Sequence, residues 1–149
     1  MDSNEAAAAL ADVGRTEQRL AERAHWPFYR HAMFGLAEGL LVAGVAQPMG
    51  IAVPMWAGAM ALVVVCIADD RRRHGMFVSG WQTGATLPLT LALFAFLLIL
   101  VLGAALVRDG EADQPIGYLL GTVAFAVSTA ASLRWQTIYR AELAGERRP

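Results

Sequence analysis

Lysine is absent, cysteine occurs once, and three long stretches carry no charged residue at all. Each absence excludes something. With Cys66 as the single thiol there is no intrachain disulfide, no Cys-x-x-Cys redox pair and no cysteine zinc site. With arginine at all 12 basic positions, the bias reads as codon usage of a GC-rich bacterial genome and not as chemistry. The first 30 residues are polar and of mixed charge and hold no apolar core followed by a small-residue cleavage site, so a retained N-terminus is expected in place of a cleavable signal peptide. A phosphate-binding glycine loop, a nucleophile elbow and a paired-carboxylate acid-base site are all missing. No enzymatic activity and no cofactor is therefore expected, and the lack of a basic surface argues against nucleic acid as a partner.

What the chain does have is apolar length. Of its 149 residues, 56% are hydrophobic. The charge-free stretches run from Gly39 to Ala68, from His74 to Val107 and from Gln114 to Leu133. A bilayer core takes about 20 apolar residues as a helix, so each stretch is a membrane-span candidate and the lipid bilayer is the first expected partner.

The segment from His31 to Ala68 is too long for one crossing, because its helix would measure roughly 57 Å against a hydrocarbon core of about 30 Å. It is expected to fold back at Gln47-Pro-Met-Gly-Ile-Ala-Val-Pro54, where two prolines and a glycine oppose a continuous helix. The fold expected is an all-α integral membrane protein, a bundle of four transmembrane helices over about 31–46, 51–68, 85–107 and 116–133. A cytoplasmic tail, 1–30, precedes the membrane domain, 31–133, and a second tail, 134–149, follows it.

Arginine placement supports an even number of crossings, since short cytoplasmic segments are enriched in basic residues. Four spans place 11 of the 12 arginines on one side, leaving only Arg108 opposite, among Asp109, Glu111 and Asp113. A single crossing from His31 to Ala68 would put Arg71, Arg72 and Arg73 opposite the N-terminal arginines and erase the bias. Both termini are accordingly expected in the cytoplasm, with the chain in a bacterial inner membrane. Trp26, Tyr29, Trp135 and Tyr139 are expected at the inner interface, and Trp56 and Tyr118 at the outer one. The Asp69-Asp-Arg-Arg-Arg73 cluster reads as a topology anchor, its aspartates offsetting much of any attraction to anionic lipid.

The tail reads as an amphipathic helix from about Asn4 to His25, with Asp2 or Ser3 as N-cap and Pro27 ending the pattern. Leu10, Val13, Leu20 and Ala24 form its apolar stripe. Such a stripe fits a helix lying on inner loops or headgroups before it fits a docking surface for a soluble partner. The inner loop segment Gly75-Met-Phe-Val-Ser-Gly-Trp81 is too apolar for a solvated linker and is expected against the membrane or the helix ends.

Within the spans, Glu38 stands out in Phe34-Gly-Leu-Ala-Glu-Gly-Leu-Leu-Val-Ala-Gly44. It lies roughly 12 Å along the helix from Arg30, where a carboxylate facing lipid would cost on the order of 2.5 to 3.5 kcal/mol. It is expected at a helix-helix seam, with Gly35-x-x-x-Gly39 permitting close approach and Gly117-x-x-x-Gly121 offering a similar surface on the fourth span. Thr90, Ser128 and Thr129 fall at comparable depth, while His31 and Arg134 are the cationic groups within reach. These six residues, Glu38 included, make a candidate intramembrane polar site. Its plain meaning is structural glue that fixes helix register; its sharper meaning is a proton- or cation-responsive group on a transport path. His25, His31 and His74 lie at or beyond the inner interface with no ligand spacing, so neither haem nor a metal is expected of them.

The leading functional expectation is a small non-enzymatic multipass protein, an accessory, regulatory or assembly partner of another membrane or cytoplasmic protein. The alternative is a homo-oligomeric small transporter or channel that uses Glu38.

Overall fold

The computed structural model describes residue 5 and residues 25–74, 84–109 and 112–144. Among the described residues the chain is all-helical, built from α1 (Phe28–Ala46), α2 (Met49–His74), α3 (Leu87–Leu106) and α4 (Pro115–Leu143), with no strand. Three of these, α2, α3 and α4, are long and apolar enough to cross a membrane. The remaining helix, α1, carries Arg30, His31 and Glu38 within its 19 residues. The expected tail helix, the apolar loop segment from Gly75 to Trp81 and the last five residues lie outside the described residues, apart from Glu5, which is helical.

The first reversal is tighter than the two prolines suggest. Rather than spreading from Gln47 to Pro54, the turn is confined to Gln47 and Pro48, and Pro54 lies inside α2. Pro48 begins the new helix, its carbonyl accepting from Ile51 N and Ala52 N at 2.9 Å each. Pro54 removes one ladder bond, and its ring crowds the carbonyl four residues back. That residue is Gly50, in the first turn of α2.

The fourth helix also passes its expected end. A charge closes an apolar run without breaking a helix, and α4 continues through Arg134 to Leu143. At about 1.5 Å per residue, the 26 residues of α2 and 29 of α4 span roughly 39 and 43 Å, so both exceed a hydrocarbon core of about 30 Å. Their surplus turns, Asp69–His74 and Arg134–Leu143, lie at the same end of the molecule as the start of α1.

Residue pairings fix the helix directions. Along α1, rising numbers meet falling ones on α4, from Gly35 beside Thr129 and Phe125 to Ala46 beside Gly117. They also fall on α2, from Arg30 with Asp70 to Gly44 with Trp56. Just before α3, Gly84 and Ala85 meet Glu142, while on α3 Gly103 lies near Leu120. The helices therefore alternate in direction. α1 is the hub, packed against the other three, and α3 rests on α1 and α4.

The α1–α4 seam is a close approach of backbones, and glycine makes it possible. A Cβ at Gly39 would lie 2.8 Å from the Gly121 carbonyl oxygen, and one at Gly121 would lie 2.6 Å from Ala43 Cβ and 2.7 Å from the Gly39 carbonyl oxygen. Backbone thus meets backbone, as in small-residue helix pairs of membranes, where dispersion between close-packed chains supplies the attraction that water would otherwise drive. A Cβ at Gly117 would meet Ala46 Cβ at 2.6 Å, and one at Gly35 would strike Thr129 and the Phe125 carbonyl.

Candidate functional site

Two groups of polar side chains flank this seam, one at each end, and a third lies between them.

At the end where α2 and α4 overhang, His31 is fully buried. Its Nδ1 is 2.8 Å from Ser132 Oγ and its Nε2 is 3.0 Å from Gln136 Oε1. The Gln136 oxygen also accepts from the Trp26 main-chain N–H at 3.0 Å. An oxygen that accepts twice requires the proton on Nε2, so the neutral ring with Nδ1 accepting from the Ser132 hydroxyl satisfies every group. Beside this network Arg30 grips Asp70 bidentately, Nε to Oδ1 at 3.1 Å and a terminal nitrogen to Oδ2 at 2.8 Å. Asp70 is only 2% exposed, so the planar guanidinium supplies both the charge and the paired donors that a buried carboxylate needs.

The aromatic residues close over this cluster. Trp135 and Tyr139 stack at 4.8 Å, Trp26 tilts against both at 6.1 and 6.2 Å, and the Arg30 guanidinium lies 4.9 Å over the Trp26 ring. Tyr29 donates to Asp69 at 2.6 Å, and Arg73 holds the same carboxylate. Trp26 is 4% exposed, packed by protein on all sides where headgroup contact was the expectation. Trp56 likewise seats its ring on Gly44 and donates to the Leu41 carbonyl at 3.3 Å. Glu142, at the far end of α4, accepts from Ala85 N at 3.2 Å and so serves the first turn of α3.

At the opposite end, Gln47 is fully buried and pairs with Gln114 like one strand with another. Its Nε2 donates to the Gln114 carbonyl and its Oε1 accepts from the Gln114 N–H, both at 2.9 Å. This clasp ties the α1–α2 turn to the start of α4. Sequence reasoning passed over it, although one signal was present: Gln47-Pro48 and Gln114-Pro115 are the same dipeptide at two helix starts.

Between the ends lies Glu38, half-buried, with no hydrogen-bond or ion-pair partner among the described residues. The other expected members of the polar site are placed as follows. His31 is held by Ser132 and Gln136. Thr129 Oγ1 donates to the Phe125 carbonyl at 2.8 Å beside Gly35, and Thr90 Oγ1 donates to the Thr86 carbonyl at 3.3 Å. Ser128 is completely buried and its hydroxyl has no partner. Arg134 is exposed and joins neither end cluster. The structure therefore unites His31 with residues of α4 but joins none of these groups to Glu38. No cluster of three or more His, Cys, Asp or Glu side chains suited to a metal ion occurs among the described residues. Set beside known proteins, the chain matches no protein family, no curated protein and no solved structure.

Proposed function

We propose that this chain is a four-span membrane protein of the bacterial inner membrane, non-enzymatic, with both termini in the cytoplasm, acting as an accessory or assembly partner of another protein. The arginine distribution supports the orientation. The position of α1 supports the fourth span. The helix is packed against three others, and its Arg30 and His31 are satisfied by α2 and α4.

The observation that carries the partner role is the locked root of the N-terminal tail. Trp26 is buried, its main-chain N–H is held by Gln136 and its ring by Trp135, Tyr139 and Arg30. The junction to the tail, whose sequence carries the apolar stripe, is thereby held beside the overhanging turns of α2 and α4. A tail anchored so firmly at its base is placed to present that stripe to a cytoplasmic or membrane partner. The test is site-specific photocrosslinking in native membranes from Leu10 and Val13. Adducts of a defined second protein are expected, and adducts of the chain with itself alone would count against the reading.

One observation favours a second reading, a homo-oligomeric transporter or channel: among the described residues the Glu38 carboxyl has no hydrogen-bond or ion-pair partner. Reconstituted protein that moves no cation, or whose flux is unchanged by Glu38→Gln, would remove that reading.

A further inference from the structure

In sequence, the two aspartates of Asp69-Asp-Arg-Arg-Arg73 offset its arginines, but the structure engages both of them elsewhere. Asp70 faces α1, where Arg30 grips it. Asp69 accepts from the Tyr29 hydroxyl and from Arg73, so both carboxylates and two of the nearby arginines are matched within the protein. Arg71 and Arg72 are left over. Both are exposed, and neither makes a hydrogen bond or ion pair among the described residues.

At about 100° per residue, Arg71 lies about 200° around α2 from Asp69, on the other side of the helix axis. Its flank is apolar below it. Val64 and Met60, 7 and 11 residues earlier, share that flank and are 65% and 51% exposed. The one extensive seam of α2 is with α1, so this flank meets what surrounds the protein. About 20 residues cross the hydrocarbon, and counted from Ile51 they end at Asp70, which puts Arg71 at headgroup level. Its side chain leans toward the N-terminus of α2, hence toward Val64.

We propose that Arg71, with Arg72 beside it, seats the phosphate of an anionic phospholipid whose acyl chain runs along Val64 and Met60. The planar guanidinium presents paired donors that match phosphate oxygens. Two unmatched cations within one helical turn favour a lipid of net negative charge, because a zwitterionic headgroup brings its own ammonium to compete for the phosphate. Depth fits as well: Val64 and Met60 lie about 10 and 16 Å along the helix from Arg71, against a leaflet half-thickness of about 15 Å. A soluble phosphate compound would leave the apolar flank uncovered. The site requires only that α2 cross a bilayer, and is independent of both the partner role and Glu38.

The purified full chain, with Cys66→Ser as background and bimane attached at Met60→Cys, would be reconstituted in phosphatidylcholine bilayers. Quenching by phosphatidylglycerol and by phosphatidylcholine, each brominated on its chains, then gives the relative affinity of the two lipids at this flank. A preference of roughly fivefold or more for phosphatidylglycerol is expected, the effect of one unopposed arginine at the surface. Arg71→Gln lowers it below about twofold, Arg71→Lys keeps most of it, and Arg134→Gln, which removes an equally exposed arginine from α4, leaves it unchanged. Equal affinities, a preference that survives Arg71→Gln combined with Arg72→Gln, or the same loss from Arg134→Gln as from Arg71→Gln would each overturn the proposal. Bimane quenched by neither lipid would overturn it too, since the flank would then be covered by a second copy of the chain.

Discussion

Adding one methyl group at Gly121 should be among the most damaging small changes available in this chain. A Cβ there would lie 2.6 Å from Ala43 Cβ and 2.7 Å from the Gly39 carbonyl oxygen. Neither atom is the end of a flexible side chain, so relief requires α1 and α4 to separate along the seam. A separation of 0.5 to 1 Å forfeits about a quarter to a half of each dispersion contact, and overpacking of this kind costs about 1 to 3 kcal/mol. The substitution also removes a helical glycine, which contributes up to about 1 kcal/mol in the opposite direction. Gly58→Ala supplies the control: its Cβ would meet only Leu40 Cδ1 at an ordinary 3.7 Å, so the gain in helix propensity stands alone. In reversible unfolding from mixed micelles followed by tryptophan fluorescence, Gly121→Ala should therefore fall about 1 to 3 kcal/mol below Gly58→Ala. Equal stability of the two variants would refute the close-packed α1–α4 seam.

Gln136→Ala removes the acceptor shared by His31 and Trp26, so a loss of about 1 to 3 kcal/mol and a red shift of the emission of the Trp26–Trp135 pair are expected, read with Trp56 and Trp81 replaced by phenylalanine. Asp70→Ala strands the Arg30 guanidinium, whose side chain is 17% exposed, and should cost on the order of 3 kcal/mol; Arg30→Met combined with Asp70→Leu should recover much of that loss in the same unfolding assay. Gln47→Ala leaves the Gln114 N–H without its partner, while the carbonyl keeps the Gly117 N–H, and a loss of about 1 to 2 kcal/mol is expected, with faster proteolysis between α3 and α4 as its local sign.

The parts of this architecture visible in the sequence are those set by short-range or bilayer-scale rules. Charge-free runs mark where the helices lie, because run length reflects hydrocarbon thickness. Helix ends are less visible: α4 runs past Arg134 and α2 past Asp69, since charge is indifferent to helix continuation, and Pro54 lies inside α2 instead of in the turn before it. The two Gly-x-x-x-Gly patterns can be read directly, but that Gly35 and Gly39 meet Gly121, Phe125 and Thr129 is a tertiary fact absent from their spacing. Glu38 is conspicuous as a lone acid in an apolar run. Its isolation is not, because the hydroxyls expected to serve it bond their own helix backbone, as Thr129 does, are taken by His31, as Ser132 is, or make no hydrogen bond, as with Ser128. The Arg30–Asp70 pair was hidden by arginine abundance: with Arg71, Arg72 and Arg73 adjacent in sequence, nothing local singles out an arginine 40 positions away. Gln136 and Gln47 were missed because a neutral amide carries no charge signal, although burial makes its two-sided hydrogen bonding valuable.

The measurement that bears most directly on the account is sidedness of the loops in intact cells. With Cys66→Ser as background, single cysteines introduced by Ala8→Cys, Ser79→Cys, Gly110→Cys and Glu146→Cys would be probed with a membrane-impermeant thiol reagent. Four crossings with α1 as a true span predict labelling of Gly110→Cys from outside and of the other three only after permeabilisation. Labelling of Ala8→Cys from outside while Ser79→Cys stays protected would mean three crossings, with α1 no longer a span, and would contradict the account.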